Sequence, residues 1–287
     1  MSRFILAWTL LAAASAAQEV SSPPTAKFQV RPLTVGDRTE IKIESNVELD
    51  IVTHSLQEPD HDIKRQLTYV RTMECLQTVE AAGEGAAPSL RVLVATAKLQ
   101  RSGTNIAPIT ETSEIESKSY VVTRGDKGRA VKAENGEPAH GDAGGLGAWE
   151  DFAKLLPSGE PKAGATWTVD AAAISALVTI PDLPAPTGTF EAKMESLSEG
   201  KAVVFFTGTL KGKTAKGFDT ELTIAEGRLV FDTAKGRPAS LVITGSLKAK
   251  REISQKVSKQ KELKQVDEVV GDVTITSRKL DVKAEFK

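Results

Sequence analysis

The chain is short of cysteine, of aromatic residues and of net charge, and each shortage removes a class of protein. Cys75 is the only cysteine among 287 residues, so no intramolecular disulfide can form and stability has to come from an ordinary core, for which the length is ample. Basic and acidic residues number 37 and 38, a formal net charge of −1, which leaves no bulk field to draw the chain to nucleic acid or to an anionic membrane. Aromatic residues make up 5%, beside 40% hydrophobic and 26% charged residues. That balance excludes disorder, collagen and a multi-span membrane protein and fits a soluble globular protein. Also missing are a Gly-x-Ser-x-Gly elbow, a Gly-x-x-x-x-Gly-Lys-Ser/Thr phosphate loop and a Gly-x-Gly-x-x-Gly fingerprint. No Asn-x-Ser/Thr glycosylation site occurs.

The one sustained apolar run, Phe4 to Ala14, follows Arg3 and ends in the small residues Ala14-Ser15-Ala16. It is too short to span a hydrocarbon core of ~30 Å, which takes about 20 helical residues. Residues 1–17 therefore read as a secretory signal peptide, with the cut after Ala16 or Ala17 and a flexible tether over 18–27. No cysteine lies near the cut, so the exported chain is expected in the periplasm or outside the cell with no lipid anchor and no retained transmembrane segment.

What is abundant is alternation. In Ile41-Lys-Ile43-Glu-Ser-Asn-Val47-Glu-Leu49-Asp-Ile51 the apolar side chains take odd positions and the polar ones even positions, the period of a strand buried on one face. The same period recurs at Leu90-Val92-Val94, Val203-Phe205, Leu222-Ile224 and Leu241-Ile243-Leu247. Turn clusters such as Gly36-Asp37, Gly125-Asp126, Gly200-Lys201 and Lys235-Gly236 separate them, which predicts antiparallel meanders. The middle of the chain breaks the pattern. Trp149, Phe152 and Leu155 or Leu156 recur at helical spacing until Pro157, and a second helical turn is expected at Asp170 to Leu177. The loop Gly141 to Gly147 reads as a flexible joint ahead of the first of these.

Residues 28–287 are thus expected to form a single mainly β domain, a curved antiparallel sheet or half-barrel from two meander halves with one or two short central helices. The halves, about 28–140 and 160–287, share a closing element, Gly128-Arg129-Ala-Val131 then Gly136-Glu-Pro138 against Gly227-Arg228-Leu-Val230 then Gly236-Arg-Pro238. The charged section Lys248 to Asp272 reads as two long strands whose outer face guards against edge aggregation, or else as a helix. It has no aromatic to stack a base.

Few residues offer chemistry. His54, His61 and Asp60 could support a metal-assisted hydrolase, but their spacing lacks the pairing of a helical zinc site and reads better as a solvated loop. His140 reaches them only if loops converge. Cys75 sits in Leu67-Thr-Tyr69-Val-Arg-Thr-Met73-Glu-Cys75 and reads as a small buried hydrophobe. Arg124-Gly125-Asp126 is a hairpin turn that happens to spell an integrin-binding tripeptide.

Several stretches resemble secreted bacterial β-rich proteins of unknown function: Leu155-Leu156-Pro157, Lys162-Ala-Gly164-Ala-Thr-Trp167, Thr187-Gly-Thr-Phe190 and Phe231-Asp232-Thr-Ala-Lys-Gly236-Arg-Pro. In architecture the chain is more distantly similar to the half-barrel carriers of lipids and lipoproteins in bacterial envelopes. The resulting expectation is a non-enzymatic envelope protein, without metal or cofactor, that binds an apolar small molecule, a lipid or an envelope partner in a concave sheet face. Trp149, Phe152, Leu155, Trp167, Phe190 and Phe205 are the expected lining. The alternative is an assembly module that docks a partner through sheet edges or the 248–272 section.

Overall fold

The computed structural model describes residues 25–55, 62–82, 88–125, 128–137, 141–178, 186–214, 216–256 and 262–280. Twelve antiparallel strands form one open sheet. The first six are β1 (Arg38–Ser55), β2 (Ile63–Ala81), β3 (Ser89–Gly103), β4 (Ile106–Thr112), β5 (Ser119–Gly125) and β6 (Gly128–Ala133). The second six are β7 (Thr166–Asp170), β8 (Thr187–Ser198), β9 (Lys201–Lys213), β10 (Asp219–Asp232), β11 (Arg237–Lys256) and β12 (Glu262–Leu280). Between the two sets lie a 3-10 turn (Gly141–Gly145), a 3-10 helix (Ala148–Leu155) and one α-helix, α1 (Ala171–Val178). The central helical expectations therefore hold, the first as a 3-10 rather than an α-helix.

The strand order is β6-β5-β3-β2-β1-β12-β11-β10-β9-β8-β7, with β4 paired to β3 beside β5. The chain runs from the centre out to one edge, crosses through the helical segment to the other edge and returns, so its first and last strands pair over most of their length. The strands at the margins, β6 and β7, are short, and β4 is exposed throughout, which limits the backbone available for edge pairing. The two Gly-Arg-x-Val elements fall on strands of different rank, β6 at the edge and β10 in the interior.

Curvature follows from what the 3-10 helix touches. Arg124 on β5 and Arg129 on β6 reach Asp151, while Trp167 on β7 donates its indole N–H to the Leu155 carbonyl at 2.9 Å. Laid flat, nine strand spacings of about 4.8 Å would separate β5 from β7 by roughly 43 Å. An eight-residue 3-10 helix spans only about 16 Å, so the sheet must wrap around it. Register shifts on β2, β8 and β10 supply local bends.

The covered face carries the main core, in which side chains from β3 and β5 (Leu90, Val92, Val94, Val122) join those from β8, β9 and β10 (Phe190, Phe206, Leu210, Leu222). Phe206 stands opposite Gly227 and its ring occupies the place a Cβ would take there, 2.2 Å away at the nearest atom. Phe190 stands in the same way over Gly208. On β1 and β2, burial on the covered face is concentrated at one end. On β1 only Ile41 is fully buried, and on β2 burial begins at Met73.

The charged section is strand throughout its described part, yet it protects no edge, because β11 and β12 lie at the middle of the sheet with both flanks paired. Its charges answer one another across the ladder, Lys250 to Glu268 at 3.0 Å and Arg251 to Asp267 at 2.6 Å. Of the expected tether, residues 18–24 lie outside the described residues. At its end Thr25 bridges Lys162, the Ala26 N–H donates to the Pro161 carbonyl, and Ala26 is buried. The expected signal peptide, residues 1–17, also lies outside the described residues.

Candidate functional site

A cavity of about 120 Å³ lies where the helical segment meets the centre of the sheet. Ile41, Ile43 and Ser45 of β1, Arg71, Met73, Cys75 and Gln77 of β2, and Leu241 of β11 form its floor. Gly145 to Trp149 and the α1 residues Leu177 and Val178 form its roof. Alternation brings the β2 set together, since positions 71, 73, 75 and 77 share one face. Exposure grows along that row. Gln77, Cys75 and Met73 are buried, while Arg71, Ile43 and Ser45 are half-buried, so the cavity is closed at Gln77 and open toward Arg71. Beyond that mouth the same sheet face continues as half-buried Val47, Leu49, Leu67, Tyr69 and Leu247.

Ion pairs hold the roof down. Asp151 accepts from Arg124 at 3.0 Å and Arg129 at 2.8 Å, and Glu150 pairs with Arg237 on β11 at 2.6 Å, with both partners almost wholly buried. Arg124 and Arg129 also donate to the carbonyls of Gly147 and Gly144. Burial pushes the Arg129 guanidinium below its ordinary pKa, against the opposing pull of Asp151. One expectation is corrected here. The 141–147 glycine segment is a docked element rather than a flexible joint: Gly147 adopts φ 73° and a Cβ there would meet Val122 at 2.8 Å, an approach that only glycine permits. Arg124 of the Arg-Gly-Asp tripeptide is committed to the Asp151 pair, and Asp126 lies outside the described residues.

The cavity lining is chiefly apolar and contains two polar side chains without partners. The Gln77 amide nitrogen and oxygen and the Trp149 indole N–H are buried with no hydrogen bond among the described residues. Gln77 is 3% exposed and Trp149 6%. Cys75 lies between Gln77 and Met73 on the same face, and burial pushes its thiol up to about 12, so at neutral pH it is neither a thiolate nucleophile nor a ready metal ligand.

Of the six side chains expected to line a pocket, one reaches the cavity. Trp149 forms part of the roof. Leu155 is fully buried in the main core, and half-buried Trp167 caps its carbonyl. Phe152 turns into a second, smaller cluster with Ala26, Met194, Ala202 and Phe231, its ring 6.1 Å from that of Phe231. Phe190 is spent over Gly208. Phe205 lies on the opposite sheet face, because Ala202, Val204 and Phe206 take the buried positions of β9. Sequence reasoning missed Ile41, Met73, Gln77, Leu177 and Leu241. Gln77 carried a usable signal, a polar residue inside the row Met73, Cys75, Gln77, Val79 that otherwise reads as core.

His54 donates from Nδ1 to the Asp62 carboxylate at 2.8 Å, and its Nε2 lies 3.7 Å from Glu268, partly exposed at the far end of β1. His61, Asp60 and His140 lie outside the described residues. A wider groove of about 540 Å³ crosses the outward face near Lys211, Glu221, Lys248 and Glu268, but its charges are largely paired within the sheet, as in Lys211 to Glu221 at 2.8 Å. Among the described residues no helix is long and apolar enough to cross a membrane.

No family model and no curated protein matches the chain. Among solved structures it is similar to a lipovitellin structure concerned with lipid–protein interactions, at 8% identity and a TM-score of 0.43, over 88% of this chain and 26% of that one. The chain thus spans about a quarter of the lipovitellin chain. An outer membrane channel from Pseudomonas putida follows at 12% identity and a TM-score of 0.25, over 86% of this chain and 97% of the channel. The secretin domain of Salmonella InvG follows at 8% identity and a TM-score of 0.14, over 88% of this chain and 65% of that one. Likeness of this degree carries no argument about activity.

Proposed function

We propose that the protein is a non-enzymatic binding protein, exported on residues 1–17, that holds an apolar small molecule between its sheet and its helical segment. The observation that carries this reading is the 120 Å³ cavity, lined by Ile41, Met73, Leu146, Trp149 and Leu241 and open toward Arg71. A cavity of ~150 Å³ with an apolar lining is enough to bind benzene, so this one takes a compact group or the end of a chain, and the half-buried face beyond the mouth can carry the remainder. A thiol raised to about 12 by burial also favours binding over nucleophilic chemistry at this place. Organic extraction of the purified protein with mass spectrometry, together with titration of an apolar fluorophore, tests the reading. A co-purifying apolar compound and saturable fluorophore binding are expected; neither extractable compound nor binding would overturn it.

A further inference from the structure

The covered face of the sheet continues past the cavity's mouth, and its side chains there have accessible surface. On β2, Met73 lines the cavity and Leu67 lies outside it, about 20 Å further along at ~3.3 Å per residue. Between them the face is apolar: Val47 stands opposite Tyr69 and Leu49 opposite Leu67, all four half-buried. Ile109 of β4 shares that face through its pairing with Arg101, itself opposite Tyr69, and is 43% exposed. The result is a strip that leads away from the mouth. An extended sixteen-carbon chain has the same length, about 20 Å at ~1.25 Å per methylene, the rise that ~1.5 Å bonds give.

Charge beside the strip favours one sign of head group. Among the described residues, register and alternation place two acids on this stretch of the face, Glu111 and Asp267, and each is held in an ion pair, with Arg101 and Arg251. Of the remaining cations, Arg71 at the mouth already has a partner within the protein. Arg65 stands one alternation past Leu67, opposite Ile51. It is exposed and has no ion-pair partner among the described residues. A single guanidinium at the end of an apolar strip suits one negative charge, and a carboxylate matches its two-pronged geometry.

Resting on the binding role proposed above, we infer that the ligand is a long-chain carboxylate of about sixteen carbons. Its methyl end sits in the cavity beside Met73, its chain lies over Val47, Tyr69, Leu49 and Leu67, and its carboxylate meets Arg65.

Displacement of a bound apolar fluorophore from the full chain at neutral pH by octanoate, hexadecanoate and hexadecanol tests this in wild type, Arg65→Gln and Leu67→Asn. Eight further methylenes, half-covered by the sheet, should make hexadecanoate at least about a hundredfold tighter than octanoate. Its charge, met at an exposed arginine, should make it about threefold to fivefold tighter than hexadecanol. Arg65→Gln should remove the second difference and keep the first. Leu67→Asn should weaken hexadecanoate about tenfold and leave fluorophore affinity unchanged, with circular dichroism checking that each variant retains the sheet. If neither the fluorophore nor hexadecanoate binds wild type, the binding role itself fails. If the fluorophore binds but hexadecanoate does not displace it, or octanoate competes as well as hexadecanoate, the chain assignment is overturned and the binding role stands. Equal affinity for hexadecanol, or a preference for the carboxylate that survives Arg65→Gln, overturns the placement of the head.

Discussion

Gln77 and Cys75 are neighbours on one face of β2 with opposite fates. In the ligand-free protein the Gln77 amide gains nothing from burial, so Gln77→Leu should hold or raise stability, by about 1 kcal/mol at most. Thermal unfolding measures this; a clear fall would mean that the amide is held inside the protein after all. Cys75, with its thiol pushed up to about 12 by burial, should resist thiol reagents at neutral pH and react once urea unfolds the chain. Because its folded pKa lies above the ordinary value, its contribution is complete below the unfolded pKa of about 9 and fades as pH rises toward 12. Rapid labelling of the native protein would contradict this. Gly227 is set by its partner. A methyl there collides with the Phe206 ring, so Gly227→Ala should cost about 1–3 kcal/mol in denaturant unfolding, much of it restored by Phe206→Leu.

The helical segment is fastened by charge as much as by packing. Arg237→Met leaves Glu150 buried without a partner and should cost about 3–5 kcal/mol, whereas a Glu150→Leu, Arg237→Met double substitution should recover most of it. A double-mutant cycle that shows simple additivity would contradict a direct pair. At the other end of β11 and β12, Asp267 is opposed by burial, but donors from Arg251, Gln265 and Thr53 outweigh it and lower its pKa. A carboxyl lowered in the folded state stabilises above its unfolded pKa of about 4 and loses that contribution as pH falls through its folded value. Unfolding midpoints against pH should therefore drop less steeply in acid for Asp267→Asn than for wild type, and equal slopes would rule the carboxylate out. These fastenings were not legible in the sequence. Asp151 and Arg124 are 27 residues apart, and Glu150 and Arg237 are 87 apart, and nothing local marks such pairs.

At the scale of the molecule, period-two alternation was enough to foresee a mainly antiparallel β architecture, because burial on one face imposes that period strand by strand, and its interruption by helical spacing at Trp149, Phe152 and Leu155 marked the helical turns at the centre. Strand order was another matter. That β1 and β12 close the middle of the sheet, and that the charged β11 and β12 are therefore interior, depends on long-range pairing that no short window of sequence carries. The same holds for the cavity. Trp149 is the one expected lining residue that lies in its roof, but among the described residues its floor is drawn from β1, β2 and β11, while Phe152 and Phe190 pack elsewhere and Phe205 lies on the opposite sheet face. The most direct measurement of the central claim is equilibrium titration of an apolar fluorophore into wild type and into Ala148→Leu, which adds a larger side chain to the cavity roof. Saturable binding to wild type, weakened about tenfold or more in the variant with its circular dichroism unchanged, is the expected result. No binding to wild type, or equal affinity for both proteins, would contradict the claim that this cavity is the binding site.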